Sequence, residues 1–157
     1  MLEKVVPIQD RKYDANDEAS MQDNNSSAAN YRVIAGTDRL SLHAFGFALD
    51  LNPRDNPVQK NGETLQPQGA VRNLEDPQTL IEDHPVVKWL EERGWEWAGA
   101  WQEPYQDNHH FQKPLATEQY VKQLQKQLEE QNITQDEYDQ RLAKAERNSK
   151  SLQHEKI

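Results

Sequence analysis

At 157 residues the chain has room for one modest domain and an appendage, because a single core usually fills about 100–150 residues. Hydrophobic residues make up 34% and mean hydropathy is -1.10, so any compact part must be loop-rich, around a small core that a bound metal would help to hold. The net charge of -9 argues against a nucleic-acid partner, which needs clustered Lys and Arg, and the lack of cysteine excludes disulfides, thiolate zinc sites and cysteine nucleophiles.

Met1 to Pro7 lacks the apolar stretch of a signal peptide, and no later run approaches the roughly 20 apolar residues of a membrane span. Val5 to Ile8 reads as a short strand, and Gln9 to Asn30, rich in Asp, Asn, Ser and Ala, reads as a long loop. Tyr31 to Ala35, ending at Gly36, is a second strand candidate, and Phe45 to Leu51, closed by Asn52-Pro53, a third. Arg54 to Gln78 offers Pro, Asn, Gly and Gln with little periodicity and reads as loop.

Asp83 is the expected cap of a helix with Pro85 in its first turn, an apolar face of Val86, Trp89 and Leu90, and Gly94 as its stop. Trp95-Glu96-Trp97 and His110-Phe111-Gln112 look like strand ends. Beyond Pro114 the chain turns charged and glutamine-rich. Thr117 caps one expected helix carrying Val121, Leu124 and Leu128 on a stripe, and Asn132 breaks it. Thr134 and Glu137 then form a capping-box pattern, with Ile133 and Tyr138 placed as a hydrophobic staple. The expected organisation is therefore residues 1–114 as the main domain and 115–157 as a helical hairpin, whose Val121, Leu124, Leu128, Tyr138 and Leu142 stripe could support self-association.

The chemistry concentrates in Ser41-Leu42-His43-Ala44-Phe45-Gly46-Phe47-Ala48-Leu49-Asp50, where a His and an Asp bracket an apolar strand and the glycine is expected to let backbones approach closely. Far downstream comes Asp107-Asn108-His109-His110-Phe111. Two imidazoles and a carboxylate suffice for a catalytic zinc with one position open to water, and the remaining carboxylate could serve as base. A single His beside a strand carries little weight; the combination carries the reading.

The segment resembles the zinc peptidases that include VanY-type D-alanyl-D-alanine carboxypeptidases, the vancomycin-resistance dipeptidases and phage L-alanyl-D-glutamate endopeptidases. Their pattern Ser-x-His-x-x-Gly-x-Ala-x-Asp is met by Ser41, His43, Gly46, Ala48 and Asp50. The second pattern, an acidic residue three before a His after a Trp-Gly-rich strand, is met by Gly94 to Trp101 and then Asp107 with His110. Asn24 to Arg32 resembles the family's Ser-x-x-x-x-Arg region.

The resemblance implies an α+β fold, a small mostly antiparallel sheet carrying the zinc with helices beside it. It implies Zn2+ held by His43, Asp50 and His110, Asp107 as general base, and Arg32 as the substrate-facing cation. His110 is preferred over His109 because it directly precedes Phe111, stands three after Asp107, and strand neighbours point to opposite faces. Ser27, Trp97 and Trp101 are candidate substrate contacts, with core packing the alternative for the tryptophans. Glu96 and Glu103 are the next carboxylates as base, and His84 and His154 read as surface residues.

The implied activity is hydrolysis of a peptide bond in the peptidoglycan stem peptide, by an L-alanyl-D-glutamate endopeptidase or a D-alanyl-D-alanine carboxypeptidase, with Asp rather than Glu at the base position tilting toward the former. The implied location is the cell wall, reached by export or by phage-type lysis. The competing reading is a catalytically silent wall-binding module, which the complete set of His43, Asp50, Asp107 and His110 disfavours.

Overall fold

The computed structural model describes residues 2, 4–101 and 104–154, which form an α+β protein of two compact units, Met1–Gln112 and Lys113–Ile157. Among the described residues no helix is long and apolar enough to cross a membrane.

The first unit holds two three-stranded antiparallel sheets. One has the order β1-β6-β4, from Ala48–Asp50, His110–Gln112 and Glu96–Trp97. The other has the order β3-β2-β5, from Glu63–Gln66, Val58–Lys60 and Tyr105–Asp107. Since β5 lies in one sheet and β6 in the other, the Asn108-His109 turn carries the chain between them.

Strand alternation sorts the first sheet into two faces. Leu49 pairs with Phe111, which pairs in turn with Trp97, and these side chains join Leu51, Leu80, Val87, Leu90 and Trp95 in the core. Full burial of side chains such as Val87 and Phe111 stabilises the unit by roughly 1.5–3 kcal/mol each. Ala48, Asp50, His110 and Gln112 alternate with those residues, so the other face carries the polar groups.

Two helices flank the sheets. In α1, Asp17–Gln22, Asn16 caps the start by accepting from the Ala19 amide at 2.9 Å. In α2, Pro85–Glu92, the cap is His84 rather than Asp83; its Nδ1 accepts from the Val86 amide at 3.1 Å while Nε2 donates to the Pro77 carbonyl at 3.2 Å. His84 is thus a structural cap, and Asp83 instead pairs with Lys88 at 2.7 Å. The N-terminal segment is tied down through Asp23, whose carboxylate receives the ammonium groups of Lys4 and Lys12 and the Tyr13 hydroxyl.

Several sequence expectations are corrected. Val5 to Ile8 is not a strand, since only Lys4 makes a bridge, to Asn25, and Ile8 begins a turn. Tyr31 to Ala35 contributes one isolated bridge, Val33 to Leu40, and Phe45 to Leu51 narrows to β1 because Leu42–Phe45 is a 3-10 turn. The presumed loop from Arg54 to Gln78 contains the β2–β3 hairpin, turned by Asn61 and Gly62 at φ 50 and 80.

The second unit is a helical hairpin of α3, Glu118–Glu129, and α4, Gln135–His154. Thr117 caps α3 by accepting from the Tyr120 amide at 3.1 Å, and Thr134 and Glu137 form the reciprocal capping box of α4. The Asn148 amide donates to the Pro114 carbonyl and the Ser149 hydroxyl accepts from the Ala116 amide, both at 2.9 Å, which sets the helices antiparallel. Leu124, Ile133 and Ala145 are buried.

Candidate metal centre

The Ser41–Asp50 segment builds half of a site by local rules. The Ser41 hydroxyl caps the 3-10 turn by accepting from the His43 amide at 3.3 Å, which fixes where His43 starts. Gly46 ends the turn at φ 68, a left-handed conformation that L side chains rarely adopt, and so redirects the chain into β1. Nothing lies within 4 Å of where its Cβ would be, so the glycine serves the turn and not a close approach of backbones. Ala48, 1% exposed, then leads to Asp50 on the same face. Asp50 is held by its main chain, which exchanges hydrogen bonds of 2.7 and 3.0 Å with Ser27.

The other half comes from β6, where His110 is the register partner of Asp50. His110 Nδ1 lies 3.0 Å from Asp50 Oδ1, and His43 Nε2 lies 3.3 Å from both Asp50 Oδ2 and His110 Nδ1. The three ligand atoms all lie within 4.8 Å of one another. Each imidazole is oriented from behind. His43 Nδ1 donates to the Ala28 carbonyl at 2.9 Å, and His110 Nε2 to Gln112 Oε1 at 3.1 Å, which turns one nitrogen of each ring toward the centre.

Gln112 in turn donates to Glu96 Oε2 at 3.1 Å, and Glu96 Oε1 accepts from the Trp101 indole at 3.3 Å. Burial alone would raise the Asp50 carboxyl and lower the His110 imidazole, but the groups oppose this together. His109, His110 and His43 hold Asp50 well below the usual carboxylate range, and Asp50 with Asp107 pushes His110 up to about 9. Two imidazole nitrogens and a carboxylate in this arrangement are the donor set of a three-ligand catalytic zinc site, and the residues fit that ion.

The remaining expected residues are placed as follows. Asp107, 27% exposed at the side chain, ends β5, with Oδ1 3.2 Å from His109 Nε2. His109 is buried and outside the metal cluster, its Nδ1 donating to the Asn56 carbonyl at 2.8 Å. Arg32 directs its Nε to Asp17 Oδ2 at 2.9 Å. Trp101 lies beside the cluster, its ring 6.2 Å from that of His110. Trp97 is 4% exposed, stacks on Phe111 and donates to the Asn108 carbonyl, so the expectation of a substrate contact gives way to a core role. Ser27 meets the site through its main chain, and Glu103 and the His154 side chain lie outside the described residues.

Sequence reasoning missed Gln112 and the Ala28 carbonyl, and it named Glu96 as an alternative base where the structure shows it accepting from Gln112. Gln112 stands two after His110 and so shares its face of the strand, a signal that alternation could have supplied; a main-chain carbonyl leaves no signal at all. A separate apolar cleft of about 390 Å3 lies on the opposite face of β1, lined by Leu49, Leu51, Leu80, Trp89 and Leu90.

A family model described as D-alanyl-D-alanine carboxypeptidase matches residues 35–113, a span that takes in half of the chain and holds His43, Asp50, Asp107 and His110. The chain belongs to that family of zinc peptidases, whose substrate is peptidoglycan. Arg32 and Ser27 precede the matched span. Comparison with curated proteins and with solved structures gives no match.

Proposed function

We propose that the chain hydrolyses the L-alanyl-D-glutamate bond of the peptidoglycan stem peptide, with His43, Asp50 and His110 as zinc ligands and Asp107 as general base. The observation that carries this reading is the convergence of the three ligand atoms within 4.8 Å, with Asp107 just across the Asn108-His109 turn from His110. A bound zinc would supply Lewis acidity and lower the pKa of water to about 7.

The protein's own residues divide the remaining work. Asp107 accepts a proton from the nucleophilic water and delivers it to the departing amine, the task of a partly exposed carboxylate beside the ligands. Trp101 offers an aromatic face next to His110 against which substrate can pack. Arg32, ion-paired with Asp17, is the cation proposed to polarise a substrate carbonyl or hold a carboxylate once it leaves Asp17. Action on peptidoglycan would have the enzyme work outside the cell membrane, at the wall, after export or phage-type lysis.

A second reading, removal of the terminal D-alanine, is favoured by the description of the matching family. Against it, the residue at the proposed base position is an Asp, Asp107, which resembles the L-alanyl-D-glutamate endopeptidase branch. Mass spectrometry of products from an L-Ala-D-Glu tripeptide and a D-Ala-D-Ala pentapeptide decides between the two. Hydrolysis of neither by the zinc-loaded protein would leave the silent wall-binding module standing.

A further inference from the structure

The Asn108-His109 turn contains a buried histidine that the ligand set does not use. His109 is 3% exposed, and its ring is held between two acceptor oxygens, with Nδ1 2.8 Å from the Asn56 carbonyl and Nε2 3.2 Å from Asp107 Oδ1. Its main chain is also fixed, since the His109 carbonyl accepts from the Leu51 amide at 2.9 Å, one residue beyond Asp50.

The far end of this contact is anchored. Asn56 is fully buried, and its amide nitrogen donates to the Leu51, Asn52 and Gln78 carbonyls at 3.1 to 3.3 Å while Oδ1 accepts from the Leu80 amide at 2.6 Å. Asn108, equally enclosed, donates to the Pro57 carbonyl at 2.8 Å and pins the turn from the other side.

The near end requires support. Asp107 Oδ1 is buried and, among the described residues, takes no aligned hydrogen bond, and the ring nitrogen His109 Nε2 faces it at 3.2 Å. The geometry points to His109 as the positioning residue of Asp107, a strut from the Asn56 main chain that holds Oδ1 and presents Oδ2 to the water. This rests on the reading of Asp107 as base. A carboxylate swinging about two side-chain torsions would otherwise spend much of its time misaligned, and a displacement near 1 Å can cost about 100-fold in rate.

The test is a double-mutant cycle on the full-length zinc-loaded protein, combining His109→Gln and His109→Phe with Asp107→Asn. Glutamine can still donate toward Asp107, whereas phenylalanine cannot. His109→Phe is expected to lower kcat about 10- to 100-fold with KM and zinc content near wild type, and His109→Gln to recover most of that loss. In the Asp107→Asn background the same substitutions should have no further effect on kcat. The visible absorption of the cobalt-substituted protein should be unchanged by His109→Gln and altered by His110→Ala.

Wild-type kcat in both His109 variants would overturn the proposal. So would equal losses in both Asp107 backgrounds, which mark a purely structural role, or a cobalt spectrum shifted as in His110→Ala, which marks a ligand. Full activity of Asp107→Asn alone would instead overturn the base reading, and is told apart because it needs no His109 variant. If His109→Phe does not fold, the contrast between His109→Gln in the two backgrounds carries the test.

Discussion

Asp50 and His110 face each other across β1 and β6 as a register pair, with Oδ1 and Nδ1 3.0 Å apart. In the metal-free protein that contact favours the protonated imidazole, and a zinc ion must displace the proton to use the same nitrogen. With His110 raised from 6.5 to about 9, its contribution to apoprotein stability is complete below about pH 6.5 and is lost as pH rises through about 9. Asp50 behaves oppositely, contributing above 3.8 and losing its contribution as pH falls through its depressed value. The expected result is an apoprotein melting temperature that declines between about pH 6.5 and 9, while zinc affinity rises by roughly tenfold per pH unit over the same window. Calorimetric unfolding with and without chelator measures the first, and competition with a chromophoric chelator the second; an affinity flat across this range would contradict the arrangement.

Gln112 holds His110 Nε2 at 3.1 Å and is itself held by Glu96. Gln112→Ala leaves all three ligands in place but frees the ring, so zinc affinity should fall about 10- to 100-fold with little change in fold. Glu96→Gln should do less, because the Gln112 side chain still reaches His110. Chelator competition on the purified variants checks both.

The two tryptophans should separate cleanly by observable. Trp97 is packed on Phe111, and a Cβ at Gly99 would meet its ring at 2.2 Å, so the pocket around it is tight. Trp97→Ala should destabilise the first unit by about 3–5 kcal/mol. Trp101→Ala should change the melting temperature little and raise KM, since this ring borders His110 at the half-buried edge of the site. Denaturant unfolding and steady-state kinetics on the same pair of variants test the division.

The site was far more legible in the sequence than the strands around it. Ser41, His43, Gly46, Ala48 and Asp50 each answer a local demand: a cap, a candidate ligand on a short turn, a left-handed residue, a small buried residue and a candidate ligand one alternation further on. Such demands are tied to residue type and survive as spacing. The strands of this sheet are two or three residues long, too short for a period-2 pattern to show, which is why Val5–Ile8 and Tyr31–Ala35 looked equally strand-like. The β2–β3 hairpin did leave a signal, Asn61-Gly62 between Val58 and Leu65, lost within a stretch read by composition. The orientation of His109 had none, because its partner Asn56 is 53 residues away.

Every proposed ligand and the proposed base precede Lys113, where the second compact unit starts. A protein ending at residue 112 should therefore keep about one zinc per chain, measured by elemental analysis. Val121, Leu128, Tyr138 and Leu142 of the hairpin are only partly buried, and self-association through them would appear as a shift of the full chain, but not of the shortened one, to smaller elution volume with concentration. Equal elution of both as monomers would remove that role.

Arg32 and Asp17 give a last handle on which bond is cut. The pair is 2.9 Å apart and both side chains are about a third exposed, so it contributes at most about 1 kcal/mol to stability, and either partner can be changed without unfolding the protein. Arg32 meets Asp17 through Nε alone, and its guanidinium could take a substrate carboxylate in that place, because the two acceptors are chemically the same. Removing Asp17 thus frees a site for a chain end. If the substrate is cut internally, no terminal carboxylate competes, and Asp17→Ala should leave kcat/KM on the L-Ala-D-Glu peptide within about threefold of wild type, whereas Arg32→Ala should lower it about tenfold through lost carbonyl polarisation. If the terminal residue is removed instead, Asp17→Ala should lower KM for the D-Ala-D-Ala pentapeptide, since the competitor for Arg32 is gone. Steady-state kinetics of both variants on both peptides measures this, and a KM on the pentapeptide that drops about tenfold would displace the endopeptidase reading in favour of the carboxypeptidase.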